Sequence, residues 1–112
     1  MPNIQTTPKI VTGLTATVVN VTAGAANLYR HDMISTSNEV LYLQLFDLPA
    51  ASVTLGTTVA DNVIPILNKG GRDKEASDCM SFATRMSCAL TTTPTGLTAP
   101  ASSGVLIAHV KE

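Results

Sequence analysis

Hydrophobic positions along the chain recur mainly at the spacing of β-strands. Runs rich in Val, Ile, Leu and Thr are separated by Gly, Pro, Asn or Ser at intervals of about 8 to 12 residues. These runs cover residues 14–21, 28–35, 39–47, 52–55, 62–67 and 105–110. Together with two short strands in the stretch 77–93, they give about seven or eight strands in 112 residues. The pattern predicts an all-β protein, an antiparallel β-sandwich of the jelly-roll-like type.

The run 39–47 has the clearest alternation. One face carries Leu41, Leu43 and Leu45, and the other carries Val40, Tyr42, Gln44 and Phe46. Because both faces are largely apolar, we expect a central strand whose second side is covered by another sheet, a loop or a neighbouring subunit. The run 62–67 differs, because Pro65 cannot donate a hydrogen bond to a neighbouring strand. This strand is predicted at the edge of a sheet.

The stretch 77–93 matches two templates. Cys79, Phe82 and Met86 recur at helical spacing, whereas Met80, Phe82 and Met86 recur at strand spacing. A run of three threonines follows, and threonine is a poor residue for the end of a helix. We therefore predict two short strands here.

Two segments differ from the rest of the chain. Residues 1–12 contain two prolines and a polar stretch, which predicts an extended N-terminal arm ahead of a single β-sandwich domain over residues 13–112. A length of 112 residues is typical of one domain. Residues 68–75 hold five of the 15 charged residues and the only Gly-Gly pair, which predicts an exposed connection.

The composition narrows the classes of partner. The formal net charge is −1, so nothing attracts nucleic acid or an anionic membrane, and we expect neither as a partner. No apolar run approaches the ~20 residues of a membrane span, and the N-terminus lacks the pattern of a secretory signal, so we expect synthesis in the cytoplasm. Charged residues make up 13% of the chain, about half the usual ~25%, while 16 Thr and 8 Ser supply hydroxyl groups. Such a surface is easily buried against a protein partner.

No arrangement typical of catalysis or metal binding is found. His31 and His109 have no second ligand at a metal-binding spacing, so surface or rim positions are expected for both. Asp32 adjoins His31, but neighbours on a strand point to opposite faces and do not chelate together. Cys79 and Cys88 match no zinc or redox motif, which favours packed, reduced thiols. The nucleophile elbow and the phosphate-binding loop are also missing. We expect no enzymatic activity, no cofactor and no metal.

Aromatic residues are few. They make up 4% of the chain and include no tryptophan. We therefore expect them in the core rather than in a stacking surface for sugars or single-stranded nucleic acid.

Several segments, taken in order, resemble small β-sandwich proteins encoded by tailed bacteriophages. They are Asn-Leu-Tyr at 27–29, Val-Leu-Tyr-Leu-Gln-Leu-Phe-Asp at 40–47, Val-Thr-Leu-Gly-Thr-Thr at 53–58, Ile-Pro-Ile at 64–66, Met-Ser-Phe-Ala-Thr at 80–84 and Cys-Ala-Leu-Thr-Thr at 88–92. The resemblance spans residues 27–93. The chain departs from it in the charged stretch 69–78 and at Arg85, where those proteins have glycine.

The resemblance implies a structural protein of the virion. The function expected is that of a capsid cement or decoration protein, which binds the major capsid protein and stabilises the bacteriophage head. The alternatives are a neck or tail ring component and a receptor- or carbohydrate-binding β-sandwich module. A cement protein occupies symmetric seams of a shell, so it needs a rigid body with extensions that lie along its neighbours.

The same expectation suggests contact residues and an oligomeric state. Low charge and two-faced apolar strands suit a symmetric oligomer, for which we expect a homotrimer. Candidate partner contacts are Ile4, Lys9 and Ile10 in the arm and Arg72 in the charged connection.

Overall fold

A computed structural model describes residues 5–67 and 72–112, with side chains for all of these except 72–79. The strands in these residues are β1 (Thr7–Leu14), β2 (Val19–Asn20), β3 (Ala26–Ser35), β4 (Leu41–Asp47), β5 (Asn62–Ile66), β6 (Arg72–Phe82), β7 (Met86–Thr91) and β8 (Gly104–Lys111). One short 3₁₀ helix, Ala50–Ser52, lies between β4 and β5. The all-β prediction is confirmed.

The strands form two antiparallel sheets of four. The first sheet has the order β1-β8-β3-β6, and the second has the order β2-β7-β4-β5. Strands from the first half of the chain thus pair with strands from the second half: β1 with β8, β2 with β7, β3 with β6 and β4 with β5. This is the strand order of a jelly roll, in which one long hairpin is rolled into two facing sheets. The jelly-roll-like sandwich predicted from the sequence is confirmed.

The hydrophobic core lies between the two sheets. The first sheet contributes Leu28, Met33, Leu106, Ala108 and Val110, and the second contributes Leu41, Leu43, Leu45, Ile64, Ile66, Met86, Cys88 and Leu90. Gly104 begins β8 where the sheets approach closely, since a Cβ atom there would collide with Met33 Cε and lie 2.9 Å from Leu90 Cδ2. A side chain at this position would displace the ends of these two core side chains.

Loops cover the second face of β4, as its pattern predicted. Phe46 is fully buried on that face, opposite the core. Gln44 Nε2 donates a hydrogen bond to the carbonyl oxygen of Gly96 at 3.1 Å, and Ser87 Oγ donates to that of Leu48 at 2.7 Å. The loops that contain Leu48 and Gly96 therefore lie against the outer side of the second sheet.

The predicted strand over residues 14–21 is wrong. β1 ends at Leu14, and within this run only Val19–Asn20 is a further strand. The physical reason is the topology, because β1 belongs to the first sheet and β2 to the second, and the chain crosses between them here. Gly13 at φ +63° lies in the irregular last part of β1. The crossing follows Leu14 and passes Thr15, whose carbonyl oxygen accepts a hydrogen bond from Leu90 N at 2.9 Å.

The N-terminal arm differs from the prediction in the described residues. Residues 7–12 form most of β1 and pair with β8 from Thr7 opposite Val110 to Val11 opposite Leu106. They are therefore an edge strand of the domain and not a segment free of it. The sequence pattern did not indicate this strand, because an edge strand with one solvated side needs few hydrophobic residues. Residues 1–4 lie outside the described residues.

Three other sequence predictions have different outcomes. The extended piece predicted at residues 52–55 is absent from the described loop, which instead has the 3₁₀ helix and a turn where Thr57 N and Thr58 N donate to the carbonyl oxygen of Thr54. The prediction of an exposed connection is wrong for residues 72–75, which begin β6 and pair with β3 residues 31–34. Residues 68–71 lie outside the described part. The preference for strands in the stretch 77–93 is confirmed by β6 and β7.

Candidate interaction surfaces

The described residues contain neither a metal-binding cluster nor a membrane-spanning helix. No group of three or more His, Cys, Asp or Glu side chains there is arranged to hold a metal ion. No helix among the described residues is long and apolar enough to cross a membrane. Two surfaces of the described residues are considered as candidate sites.

The outer face of the first sheet is one candidate surface. Alternate residues of β8 point into the core, which leaves Val105, Ile107 and His109 on the outer side. Register places Ile10 of β1 beside Ile107 and Ile34 of β3 beside Val105. Ile10 is 64% exposed and Ile34 is 36% exposed. This side of the sheet thus presents two rows of branched aliphatic side chains.

A compact charged group adjoins the row of Ile107, since Asp32 pairs with Ile107 and Arg30 pairs with His109. The Asp32 side chain is only 4% exposed, and its Oδ2 lies 4.0 Å from a guanidinium nitrogen of Arg30. His109 Nε2 lies 3.9 Å from the same oxygen, an ion pair when the ring is protonated. A buried carboxylate is tolerated only when cations or hydrogen bonds compensate it. The cluster therefore ties β3 to β8.

His31 is buried, so the surface position expected for it is wrong. It is 1% exposed and pairs with Ala108, a core residue, whereas Asp32 pairs with the outward-facing Ile107. The two neighbours therefore point to opposite sides of the sheet, as the strand geometry predicted. His109 is half-buried at the surface, as expected.

Cys88 is a free thiol in the core. It is fully buried, and this burial raises its pKa to about 12. A thiol with such a pKa is protonated at neutral pH and is a poor nucleophile. The prediction of a packed, reduced thiol is confirmed for this residue, while the side chain of Cys79 lies outside the described ones.

The four predicted contact residues are not brought together. Ile10 is exposed on the outer face, but Lys9 lies on the other side of the same strand, where its Nζ is 3.8 Å from a carboxylate oxygen of Glu112. Arg72 begins β6 at the opposite edge of the sheet and pairs with Ile34. Three strand spacings, about 14 Å, separate these edges. Ile4 lies outside the described residues.

A second candidate site is a cleft on the outer side of the second sheet, here called the loop cleft. It has a volume of about 200 Å³ and is lined by residues 56–60, Gln44, Val63, Pro94 and Thr95. Gln44 is 2% exposed, and its Nε2 donates to Thr91 Oγ1 at 2.8 Å and to the Gly96 carbonyl oxygen. The amide thus fixes the loop that forms one wall.

Backbone geometry fixes the opposing wall. Gly56 has φ +82°, and a Cβ atom there would lie 2.7 Å from Leu97 Cδ2. Only glycine satisfies both the positive φ and the close approach of Leu97. Thr92 N also donates to the Thr98 carbonyl oxygen at 3.0 Å, which closes the loop between them. The two walls are thus held against each other without any ligand.

Two carboxylates secure turns beside these surfaces. Asp47 accepts hydrogen bonds from the backbone N–H groups of Ala83, Thr84 and Arg85 at 2.8 to 3.2 Å, and the bond from Thr84 does most to lower its pKa. Glu39 accepts from Ala101 N at 2.7 Å, and this bond likewise lowers its pKa. Their role is structural, because each stabilises a backbone turn that has no strand partner.

All four aromatic side chains are at least partly buried. Phe46 and Phe82 are in the interior, and Tyr29 and Tyr42 are half-buried. A flat aromatic surface for stacking on sugars or bases is therefore missing from the chain.

Ile10 lies at the surface, and its role as a contact residue stays a prediction. The loop cleft was not predictable from local patterns, because its walls come from segments almost 40 residues apart. The available signal was Gln44, a polar residue within an apolar strand. No protein-family model, curated protein or solved structure matches the chain.

Proposed function

We propose that this chain is a structural protein of a bacteriophage virion, a cement protein that binds the major capsid protein on the head. In this proposal it assembles as a homotrimer and adds contacts between capsid subunits. The observation that carries the proposal is the aliphatic patch on the outer face of the first sheet, formed by Ile10, Ile34, Val105 and Ile107 and continuous with the open edge of β1.

The fold supports this proposal by analogy. Jelly rolls are common in viral capsid proteins, although they also occur in lectins and cupins. Because one fold hosts many functions, the choice among these classes of protein must rest on the surface residues. The half-buried and buried aromatic residues weigh against a sugar-binding module, which typically stacks a sugar on an exposed ring.

The size of the outer face supports an assembled state. A four-stranded sheet with strands of eight residues measures roughly 19 Å by 26 Å, or about 500 Å². A typical stable interface buries about 800 Å² on each partner. If a partner covered the whole face, charged cluster included, it would bury over half of such an area, and pairing along β1 would add to it. We place self-association at this face and edge.

The first experiment measures the solution mass by light scattering at several concentrations. The chain has a mass of 11.7 kDa, so a trimer of about 35 kDa is expected. The truncated comparison removes residues 1–6 only, because removing residues 1–12 would delete most of β1 and damage the first sheet. The trimer should survive this truncation.

A second experiment tests capsid binding directly. Shells assembled from the major capsid protein of the same genome are mixed with the purified chain, sedimented and heated. We expect the chain to sediment with the shells up to a fixed saturating ratio and to raise the temperature at which they rupture. A ring of six or twelve copies that does not bind shells would favour a neck or tail component instead. A monomer that binds sugars but not shells would favour the binding module.

A further inference from the structure

The chemistry of the loop cleft limits what it can bind. None of its nine lining residues is charged or aromatic. A charged ligand would lose its hydration without gaining a counter-ion. Four of the lining residues carry a hydroxyl or amide group, but none offers an aromatic ring on which a sugar could stack. The ligand class that remains is uncharged and mainly apolar.

The volume of the cleft limits the size of the ligand. At about 200 Å³, it lies below the roughly 300–1,000 Å³ of pockets that bind drug-sized molecules or cofactors. It is large enough for one branched side chain and part of its backbone. Val59 is 87% exposed at the rim, so the apolar surface continues outside the cleft.

Gln44 supplies one directional contact. Both N–H groups of its side chain donate within the protein, to Thr91 and Gly96. No described residue donates a hydrogen bond to the side-chain oxygen, Oε1. This oxygen is nevertheless not a fully buried atom without a partner, so it is accessible to solvent. An acceptor at an apolar cleft selects a ligand that carries an N–H group next to an apolar side chain. A backbone amide beside a valine-like residue has that combination.

We propose that the loop cleft binds one uncharged aliphatic side chain of an extended segment of another polypeptide, with a backbone N–H of that segment donated to Gln44 Oε1. The cleft and this segment match in charge and in size. The cleft has no charged lining residue and about the volume of one side chain, so it suits an uncharged segment. The identity of the partner rests on the function proposed above, which makes this segment part of the major capsid protein. The cleft then provides the capsid contact on the second sheet, while the first sheet joins copies of the chain.

The test is an NMR titration of the isolated chain with N-acetyl-valine-N-methylamide. We expect saturable shifts of the backbone amide signals of residues 57–60 and Thr95, with a Kd of the order of 1–10 mM for so small a probe. The corresponding lysine and aspartate amides should bind at least about tenfold more weakly, because the cleft offers neither charge a partner.

Matched variants locate the binding. Val63→Phe fills the cleft and should abolish the shifts, whereas Val105→Phe makes the same change on the outer face of the first sheet and should leave them intact. Ala60→Leu narrows the cleft from a loop and serves if Val63→Phe does not fold. Dispersion of the amide spectrum verifies that each variant is folded.

The proposal is overturned if the valine amide gives no saturable shifts up to 100 mM, if the charged amides bind equally well, or if a folded cleft-filling variant binds like the parent. These outcomes are independent of shell binding, because the titration contains the chain alone. A chain that binds shells but not the valine amide would refute the cleft proposal only. A chain that binds the amide but not shells would refute the cement function only.

Discussion

Replacing Gln44 by leucine tests whether its amide holds the loops on the second sheet. The substitution keeps a side chain of similar size, so packing in the sheet is largely preserved. It removes the hydrogen bonds to Thr91 Oγ1 at 2.8 Å and to the Gly96 carbonyl oxygen at 3.1 Å. The Thr91 hydroxyl still donates to the carbonyl oxygen of Thr93 at 2.7 Å, so it keeps one partner. The Gly96 carbonyl oxygen, which is partly buried, loses the contact described for it.

The magnitude follows from these two bonds. Each buried group left without a partner costs about 1–3 kcal/mol, and the apolar leucine recovers part of this. We expect the free energy of unfolding to fall by about 2 kcal/mol. For a urea dependence of about 1.5 kcal/mol/M, the unfolding midpoint then falls by about 1.3 M. Hydrogen exchange should accelerate for the amides of residues 94–97, because the wall of the cleft is released.

The assay is urea denaturation followed by circular dichroism at one fixed protein concentration. The matched control is Gln5→Leu, since Gln5 is exposed and its substitution should change the free energy of unfolding by less than about 0.5 kcal/mol. If Gln44→Leu changed stability no more than the control, hydrophobic packing alone would hold the loops and the reasoning would be refuted.

Three further predictions follow from single residues. Asp47→Asn should lower the free energy of unfolding at pH 7 by about 1 kcal/mol, a value reduced by solvent around the turn. Because the pKa of Asp47 is lowered in the folded state, its contribution is present above the unfolded pKa of about 3.9 and is lost as the pH falls through the folded value. Urea titrations from pH 2 to 7 should thus show the gap to the parent closing in acid, and a constant gap would contradict the role of its charge. Cys88 should resist iodoacetamide at pH 8 in the native protein and react after unfolding, as peptide mass spectrometry will show; native labelling would contradict its burial. Ile10→Lys should lower the mass measured by sedimentation without destabilising the subunit, while Val59→Lys on the other sheet should leave it unchanged.

Strands with strong alternation were predictable from the sequence. In β4, leucines alternate with Tyr42, Gln44 and Phe46, and both faces are covered, so the pattern reports burial on each side. In β8, every second residue from Gly104 to Val110 is buried, which is the period of a sheet packed on one face. Pro65 likewise indicated an edge, and β5 is the edge strand of the second sheet.

Strands whose form depends on distant partners were not predictable. β1 contains mainly exposed residues and is held by pairing with β8, about 100 residues away. The charged start of β6 indicated a loop, but pairing with β3 extends the strand to Arg72. Register also determined that His31 is buried, and local patterns carry no information on register. Lys9 and Ile10 lie on opposite sides of β1 because neighbours on a strand alternate, but the sequence predicted no sheet strand at these residues, so the two contacts were not sorted by face.

The edges of the two sheets bear on how copies of the chain associate. An open edge exposes backbone groups that can pair with another chain, and proteins usually block it with short strands, proline, charge or bulges. In the second sheet both edges have such features, since β2 has two residues and β5 contains Pro65. In the first sheet, β1 has eight residues, with Pro8 near one end and irregular pairing after Val11 at the other. The segment between them, centred on Ile10, is therefore the part of β1 best suited to pair with a second copy. Its apolar side chain adjoins the outer face through Ile107, so one contact would use both the edge and the face.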